Sequence, residues 1–192
     1  MIFGISGFAR TGKDTFALSL EKILKLYEIK SERIAFASVL KKDLQPFLKE
    51  QFNIDSFTQD NDDKKIIRPL LVGYGESKRS QNPNYWIEQI ELNRSKNSLI
   101  IITDVRYKNE AEWIIKNDGF LLNLDRQKKD GSFVEAPNEQ EAINQPEVKN
   151  MSSFNLVWNT IEDEKNIDEI VESFLLSVLG EKIDSWKAIF PL

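Results

Sequence analysis

The seventh residue opens the run Gly7-Phe-Ala-Arg10-Thr11-Gly12-Lys13-Asp14-Thr15. Apolar residues precede it (Ile2, Phe3, Ile5). A helical pattern follows, with Phe16, Leu20, Ile23, Leu24 and Tyr27 recurring on one face. Within the run, Gly7, Gly12 and Lys13 have the spacing G-x-x-x-x-G-K of a phosphate-binding loop. The physics needs that spacing. Glycines let the backbone curl until successive N–H groups point inward at phosphate oxygens. The helix that follows presents its positive end to the same anion. Lys13 would reach the β- and γ-phosphates of a nucleotide, with Gly7, Arg10, Thr11, Gly12, Asp14 and Thr15 around them. Asp14 stands where Ser or Thr normally holds Mg²⁺. A carboxylate also holds that ion, directly or through water. A strand before the loop and a helix after it are the context the motif requires.

Composition narrows the chemistry. The chain has 192 residues, a length that suits one domain with a sizeable core. A net charge of −5 and a pI near 5.0 give no footprint for duplex nucleic acid or an anionic membrane. No apolar run reaches the roughly 20 residues of a membrane span. The N-terminus has no basic leader or cleavage signature, so the mature chain is expected to begin near Met1, in the cytoplasm. There is no Cys and no His. Thiol nucleophiles, disulfides, His general bases and the usual zinc sites are therefore excluded. Carboxylates, Lys, Arg, hydroxyls, backbone and a hard metal remain. Phosphoryl transfer fits that set, because there the protein mainly positions groups and offsets negative charge.

Along the chain, strands are expected at residues 2 to 6, Arg33 to Ala37, Leu99 to Thr103, Phe120 to Leu124 and Asn155 to Trp158. Ser38 is expected to cap a helix carrying Leu40, Leu44, Phe47 and Leu48, which Pro46 should kink or restart. Residues 53 to 63 read as a loop. Asn82-Pro83 reads as the start of a helix through Trp86 and Ile90. Asn109 with Glu112 resembles a capping box, and Gly119 ends that helix. Thr160 is expected to cap a last helix, with Ile167, Ile170, Val171, Phe174, Leu175 and Val178 on its face. Residues 125 to 150 are polar and unpatterned, as lids and binding loops are. Alternating strands and helices predict a mainly parallel sheet covered on both faces.

Several further groups are candidates. Asp104 ends the buried run Leu99-Ile-Ile-Ile-Thr, and ligands of open α/β sheets sit at the carboxyl ends of strands. It would hold Mg²⁺ or its waters there, or serve as a turn carboxylate. Arg106 would meet phosphate, and Glu110 would orient it or face solvent. Lys64, Lys65, Arg68, Lys78 and Arg79 set five cations against the single Glu76 across residues 64 to 79. Arg68 and Arg79 suit a second phosphate-bearing ligand, since a guanidinium grips phosphate through two bonds. A solvated helix face is the alternative. Gly73 and Gly75 bring backbone close to a ligand or make a turn. Trp86, Trp113, Trp158 and Trp186 are core or partner-facing, with base stacking a second reading for Trp86. Arg126 would steady a migrating phosphoryl group or remain a surface charge. Trp186 and Phe190 in the tail lie at a homodimer contact or pack back.

Taken together, these motifs resemble the deoxynucleoside monophosphate kinases of tailed bacteriophages, within the P-loop nucleoside monophosphate kinases. The matching stretches are Gly7 to Thr15, Phe36-Ala-Ser-Val-Leu-Lys41, Arg68 to Trp86 and Asn155 to Thr160. Asp104-Val-Arg106-Tyr-Lys-Asn-Glu110 is the most specific. Two positions depart. Ser38 stands where an acidic residue is expected, and Ala136-Pro-Asn-Glu139 stands where the family often shows a His before Ser-Glu. The resemblance implies a single three-layer α/β/α P-loop domain over residues 1–192, with a five-stranded parallel sheet. It also implies a helical acceptor-binding insertion at about 38–96 and a lid at about 125–150. The implied reaction is ATP plus a deoxynucleoside monophosphate giving ADP and the diphosphate, with Mg²⁺, in the host cytoplasm if the chain is phage-encoded. Lys13 and the loop would then hold ATP, and Asp14, Thr15 and Asp104 would serve Mg²⁺ and phosphate. Lys41, Arg68, Gly75, Arg79, Trp86, Asp104 and Glu110 would line the acceptor, with Arg79, Arg106 and Arg126 stabilising transferred charge. A P-loop kinase of another phosphate-bearing acceptor, such as dephospho-coenzyme A, and a non-catalytic nucleotide-binding module are the competing readings.

Overall fold

A computed structural model describes residues 1–159 and 166–192. The chain divides into two compact units. One comprises residues 1–34 with 95–192, and the other is the insertion 35–94.

The first unit is built on five parallel strands in the order β2-β3-β1-β4-β5. They are β1 (Ile2–Ser6), β2 (Ser31–Ile34), β3 (Leu99–Val105), β4 (Phe120–Gln127) and β5 (Phe154–Asn159). β1 is buried throughout and lies at the centre, paired with β3 on one side and β4 on the other. Alternation along the strands makes two faces. Phe3, Ile5, Leu99, Ile101, Leu122 and Leu124 join the core with α1 (Lys13–Leu26) and α7 (Ile167–Ile189). Gly4 faces the other way, towards Ile114 of α5 (Lys108–Lys116). A Cβ at Gly4 would stand 2.5 Å from Ile114 Cδ1, so a larger residue there would push that side chain aside. Asn123 lies on that same face and accepts from Gln145 of α6 (Glu139–Met151). The result is three layers, as expected. Trp186 and Phe190 are both buried in the α1/α7 core, so the tail packs back.

Several boundaries differ from the sequence reading. β2 ends at Ile34, because Ala35 is extended and its carbonyl accepts from Ser38 N and Val39 N. The next helix, α2 (Phe36–Phe52), therefore starts two residues before Ser38 and has Ala35 as its N-cap. It runs on through Pro46 without restarting. Leu48 is buried on it, whereas Phe47 is exposed against Phe52. The loop after it stops at Asp60, whose carboxylate caps α3 (Asn61–Gln81) by accepting from Asp62 N and Asp63 N. Asn82 ends α3 and accepts from Asn84 N, which delays α4 to Tyr85–Asn93. In α5 the bracing carboxylate is Glu110, not Glu112. It accepts from Arg106 N and Tyr107 N at 2.9 and 3.2 Å. β4 continues to Gln127, and residues 139–151 are a helix, not an unpatterned loop. Thr160, expected to cap the last helix, lies outside the described residues.

The second unit holds α2, α3 and α4. Its small core is Leu48, Ile54 and Ile67, with Leu44, Leu70 and Leu71 packed against it. Gly75 sits inside α3, where an added Cβ would stand 2.7 Å from Leu40 of α2. The close approach expected at this glycine is made, and the partner is a neighbouring helix.

Candidate active site

The loop from Gly7 to Gly12 leaves the centre of the sheet at the carboxyl end of β1. In the register, Ser6 lies beside Val105 of β3 and Asn123 of β4. Both glycines are forced. Gly7 has φ 132°, and a Cβ there would come within 2.3 Å of Leu124 O. Gly12 has φ 94°, and its Cβ would meet the Trp158 ring at 2.4 Å. Trp158 backs the loop in a second way, since its Nε1 donates to Thr11 O at 2.7 Å. Arg10 is left-handed at the apex, with φ 68°. Thr11 is buried and its Oγ1 donates to Phe8 O, so it shapes the loop from within. No side chain among the described residues caps the first turn of α1. Its N–H groups are left for an anion.

Lys13 folds back over this loop. Its Nζ donates to Gly7 O at 2.9 Å and Phe8 O at 2.7 Å. Its pKa is lowered to about 8. Loss of water around the ammonium is the main cause and the nearby Arg106 guanidinium the second. The carboxylates of Glu141, Asp14 and Asp104 act in the opposite direction. One ammonium thus feels four of the site's charged groups. Asp14 is exposed in the first turn of α1, and Asp104 is half-buried in the last turn of the β3 ladder. Two carboxylates beside the loop are what Mg²⁺ uses when phosphate oxygens and water complete its shell. Among the described residues no group of three or more acidic side chains forms a metal cage.

Arg106 follows β3 and is exposed. Glu110 fixes its backbone, as the bond from Arg106 N shows. Its guanidinium instead meets Glu141, Nη1 to Oε1, at 2.6 Å. Arg126, near the end of β4, comes over the loop and its Nη1 donates to Arg10 O at 3.5 Å. The first unit therefore assembles Lys13, Arg106, Arg126, Asp14 and Asp104 around one curled run of N–H groups. The exposed Thr15 sits beside Asp14 in the first turn of α1. Sequence reasoning missed Glu141 and the backing role of Trp158. Glu141 lies in a segment without apolar periodicity, and only the fold reveals what stands behind Gly12.

In the second unit the five cations do not converge. Lys64 Nζ donates to Gln59, and Lys65 pairs with Asp62. Lys78 lies over the rings of Tyr74 and Tyr85, at 5.3 and 4.7 Å. Both tyrosine hydroxyls donate to Asp43 Oδ2, at 2.6 and 3.3 Å. Arg68 is exposed and Arg79 half-buried on the same face of α3. They are three turns apart, about 16 Å along the axis at 1.5 Å per residue. Arg79 has the more built setting, its Nη1 lying 3.5 Å from where a Cβ on Gly75 would stand. Trp86 is buried and its Nε1 donates to Gly75 O at 3.3 Å. Its ring is core, so stacking on a base is not its part. Lys41 lies on α2 with its Nζ 5.4 Å from the centre of the Phe57 ring.

The family model for phosphomevalonate kinase matches residues 5–119, from β1 to just beyond α5. Among curated proteins none matches the chain. Among solved structures, shikimate kinase from Bacteroides thetaiotaomicron superposes with a TM-score of 0.52 at 12% identity, covering 93% of this chain and 98% of its own. That likeness shows the fold. Dephospho-CoA kinase from Campylobacter jejuni gives 0.47 at 12% identity, over 94% and 98% of the two chains.

Proposed function

Because the chain belongs to the phosphomevalonate kinase family, we propose that it transfers the terminal phosphoryl group of ATP to a phosphomonoester, and that this acceptor is a deoxynucleoside 5′-monophosphate. The observation that carries the transfer is the gathering of Lys13, Arg106 and Arg126 around the N–H-lined loop. Charge in phosphoryl transfer spreads over the equatorial oxygens of the migrating group, and fixed cations stabilise it. Lys13 and the loop hold the donor. Arg106 and Arg126 offset charge on the migrating group. Asp14 and Asp104 would hold Mg²⁺, which neutralises the phosphates when bound. In the second unit Arg79 takes the acceptor's phosphate and Arg68, three turns away, meets another part of it.

The choice of a deoxynucleotide rests on Asp104 to Glu110 and on the Arg68-to-Trp86 order. The matching family model favours a second reading, with phosphomevalonate as acceptor. One panel separates them. ADP release would be followed with MgATP and, in turn, each common and 5-modified deoxynucleoside monophosphate, phosphomevalonate and dephospho-coenzyme A, with products identified by mass. A diphosphate from at least one deoxynucleotide, well above ATPase activity without acceptor, is expected. Turnover with phosphomevalonate alone would transfer the assignment to that acceptor. Silence throughout, from folded protein that binds ATP, would leave a nucleotide-binding module.

A further inference from the structure

α6 carries into the phosphate loop a carboxylate beyond the Asp14 and Asp104 pair, tied to the loop's own donors. Glu141 Oε2 accepts from Ala9 N at 3.3 Å, and Oε1 accepts from Arg106 Nη1 at 2.6 Å. Its side chain is only 12% exposed. Its backbone is fixed as well, since Asn138 caps α6 by accepting from Glu141 N at 2.9 Å. A loop N–H, a guanidinium and a nearby ammonium are the groups an anionic ligand of this loop would take. The Ala9 N–H has one hydrogen to give, and a phosphate drawn to it and to Arg106 would stand against the Glu141 carboxylate, where two anions so close repel.

We propose that Glu141 is an internal competitor for the nucleotide's phosphates: it holds the Arg106 guanidinium and the Ala9 N–H in place, and yields both when ATP binds. The proposal rests on the reading of the loop as the ATP site. The seating of α6 supports it independently. Apart from the buried Val148, the helix is held by polar contacts: Lys149 to Asp125 at 2.7 Å, Lys108 to Glu147 at 3.0 Å, and Gln145 to Asn123 at 2.7 Å. The layer beneath is incompletely paired, since Asn123 Nδ2 is buried without a partner among the described residues. These contacts of α6 all lie at residues 145–149, leaving the first turn joined to the loop through Glu141.

The test is calorimetric titration of wild type and Glu141→Gln with MgATP alone, and with adenosine as the phosphate-free control. The amide keeps the shape and an acceptor for Ala9 N–H but carries no charge. MgATP should bind about tenfold tighter to the variant, within the usual range of coupling between two ligands of one protein, with adenosine unchanged. A merely structural role for Glu141 would not tighten MgATP binding. Equal or weaker MgATP binding by the folded variant overturns the proposal while leaving the nucleotide site standing. No ATP binding by either protein overturns both. Should Glu141→Gln fail to fold, hydrogen exchange in the wild type decides: amides at 139–142 should exchange faster on adding MgATP, and unchanged or slower exchange there overturns the proposal.

Discussion

Lys13 is an ammonium held where water is scarce, and its lowered pKa makes the donor site pH-sensitive in a predictable direction. An unfolded chain holds that proton up to about 10.5, the folded chain only to about 8. Between these values the unfolded state binds more protons, so Lys13's contribution to stability rises with pH across that window. Below pH 8 the cost of burying the charge is fully present. ATP binding runs the other way. The nucleotide's phosphates are already ionised and favour a charged Lys13, so above pH 8 binding must take up a proton. MgATP affinity should therefore fall by up to about tenfold per pH unit above pH 8. Lys13→Arg should flatten that slope, because arginine stays protonated. Titrations at several pH values, in buffers of different ionisation enthalpy, read both affinity and proton uptake. A pH-independent affinity between 7 and 9.5 would contradict the assignment. Lys13→Ala should lower kcat by roughly 10²-fold or more, the usual loss for one electrostatic group. Gly12 answers to geometry instead. With φ 94° and the Trp158 ring 2.4 Å from the added carbon, Gly12→Ala should cost about 1–3 kcal/mol of backbone strain. Urea melts should show that loss, together with weakened MgATP binding. Unchanged stability would mean that the ring moves aside freely.

Elements differ in how openly the sequence declares them. The path from β1 through the loop into α1 was legible because each residue type there has one physical use: apolar strand, curled glycines, charged lysine, amphipathic helix. β3 was legible as a continuous apolar run ending in Asp104. α6 was not. Only Gln145 and Val148 are buried on it, and Ile143 is 71% exposed, so no helical stripe exists to be read. The partner of the Arg106 guanidinium was not legible for the same reason. Glu110, four residues on, takes its backbone N–H, while the guanidinium finds a carboxylate 35 residues away. Trp86 was drawn towards a ligand by its place after the basic run, yet Gly75 O gives its indole an internal partner. Because α6 is seated by polar contacts and one valine, it should open below the free energy of global unfolding. Val148→Ala removes about 1–3 kcal/mol of apolar burial from it. Amides across 139–151 should then exchange about tenfold faster or more, with β1 amides much less affected. Equal acceleration in β1 and α6 would show that the helix opens only with the whole unit.

At the scale of the molecule, the proposed reading divides the ligands between the two units. The loop, Lys13, Arg106 and Arg126 belong to residues 1–34 and 95–192, whereas Arg68 and Arg79 belong to residues 35–94. A ligand that binds the native state stabilises what it binds. MgATP alone should therefore slow exchange in the loop and in α1. The acceptor alone should slow exchange in α3 around Arg79. Arg79→Ala should weaken acceptor binding by tenfold or more and leave MgATP affinity within twofold of wild type. The loss of a charged hydrogen bond, about 1.5–3 kcal/mol, sets that scale. Arg79→Lys should recover little, because a point charge replaces a planar fork that grips phosphate through two bonds. Arg68→Ala should cost less, since Arg68 is exposed whereas Arg79 is half-buried beside Gly75. Calorimetry with each ligand separately distinguishes these outcomes. Equal losses of ATP and acceptor affinity in Arg79→Ala would place this arginine outside a dedicated acceptor site. The basic run of α3 would then be a solvated helix face.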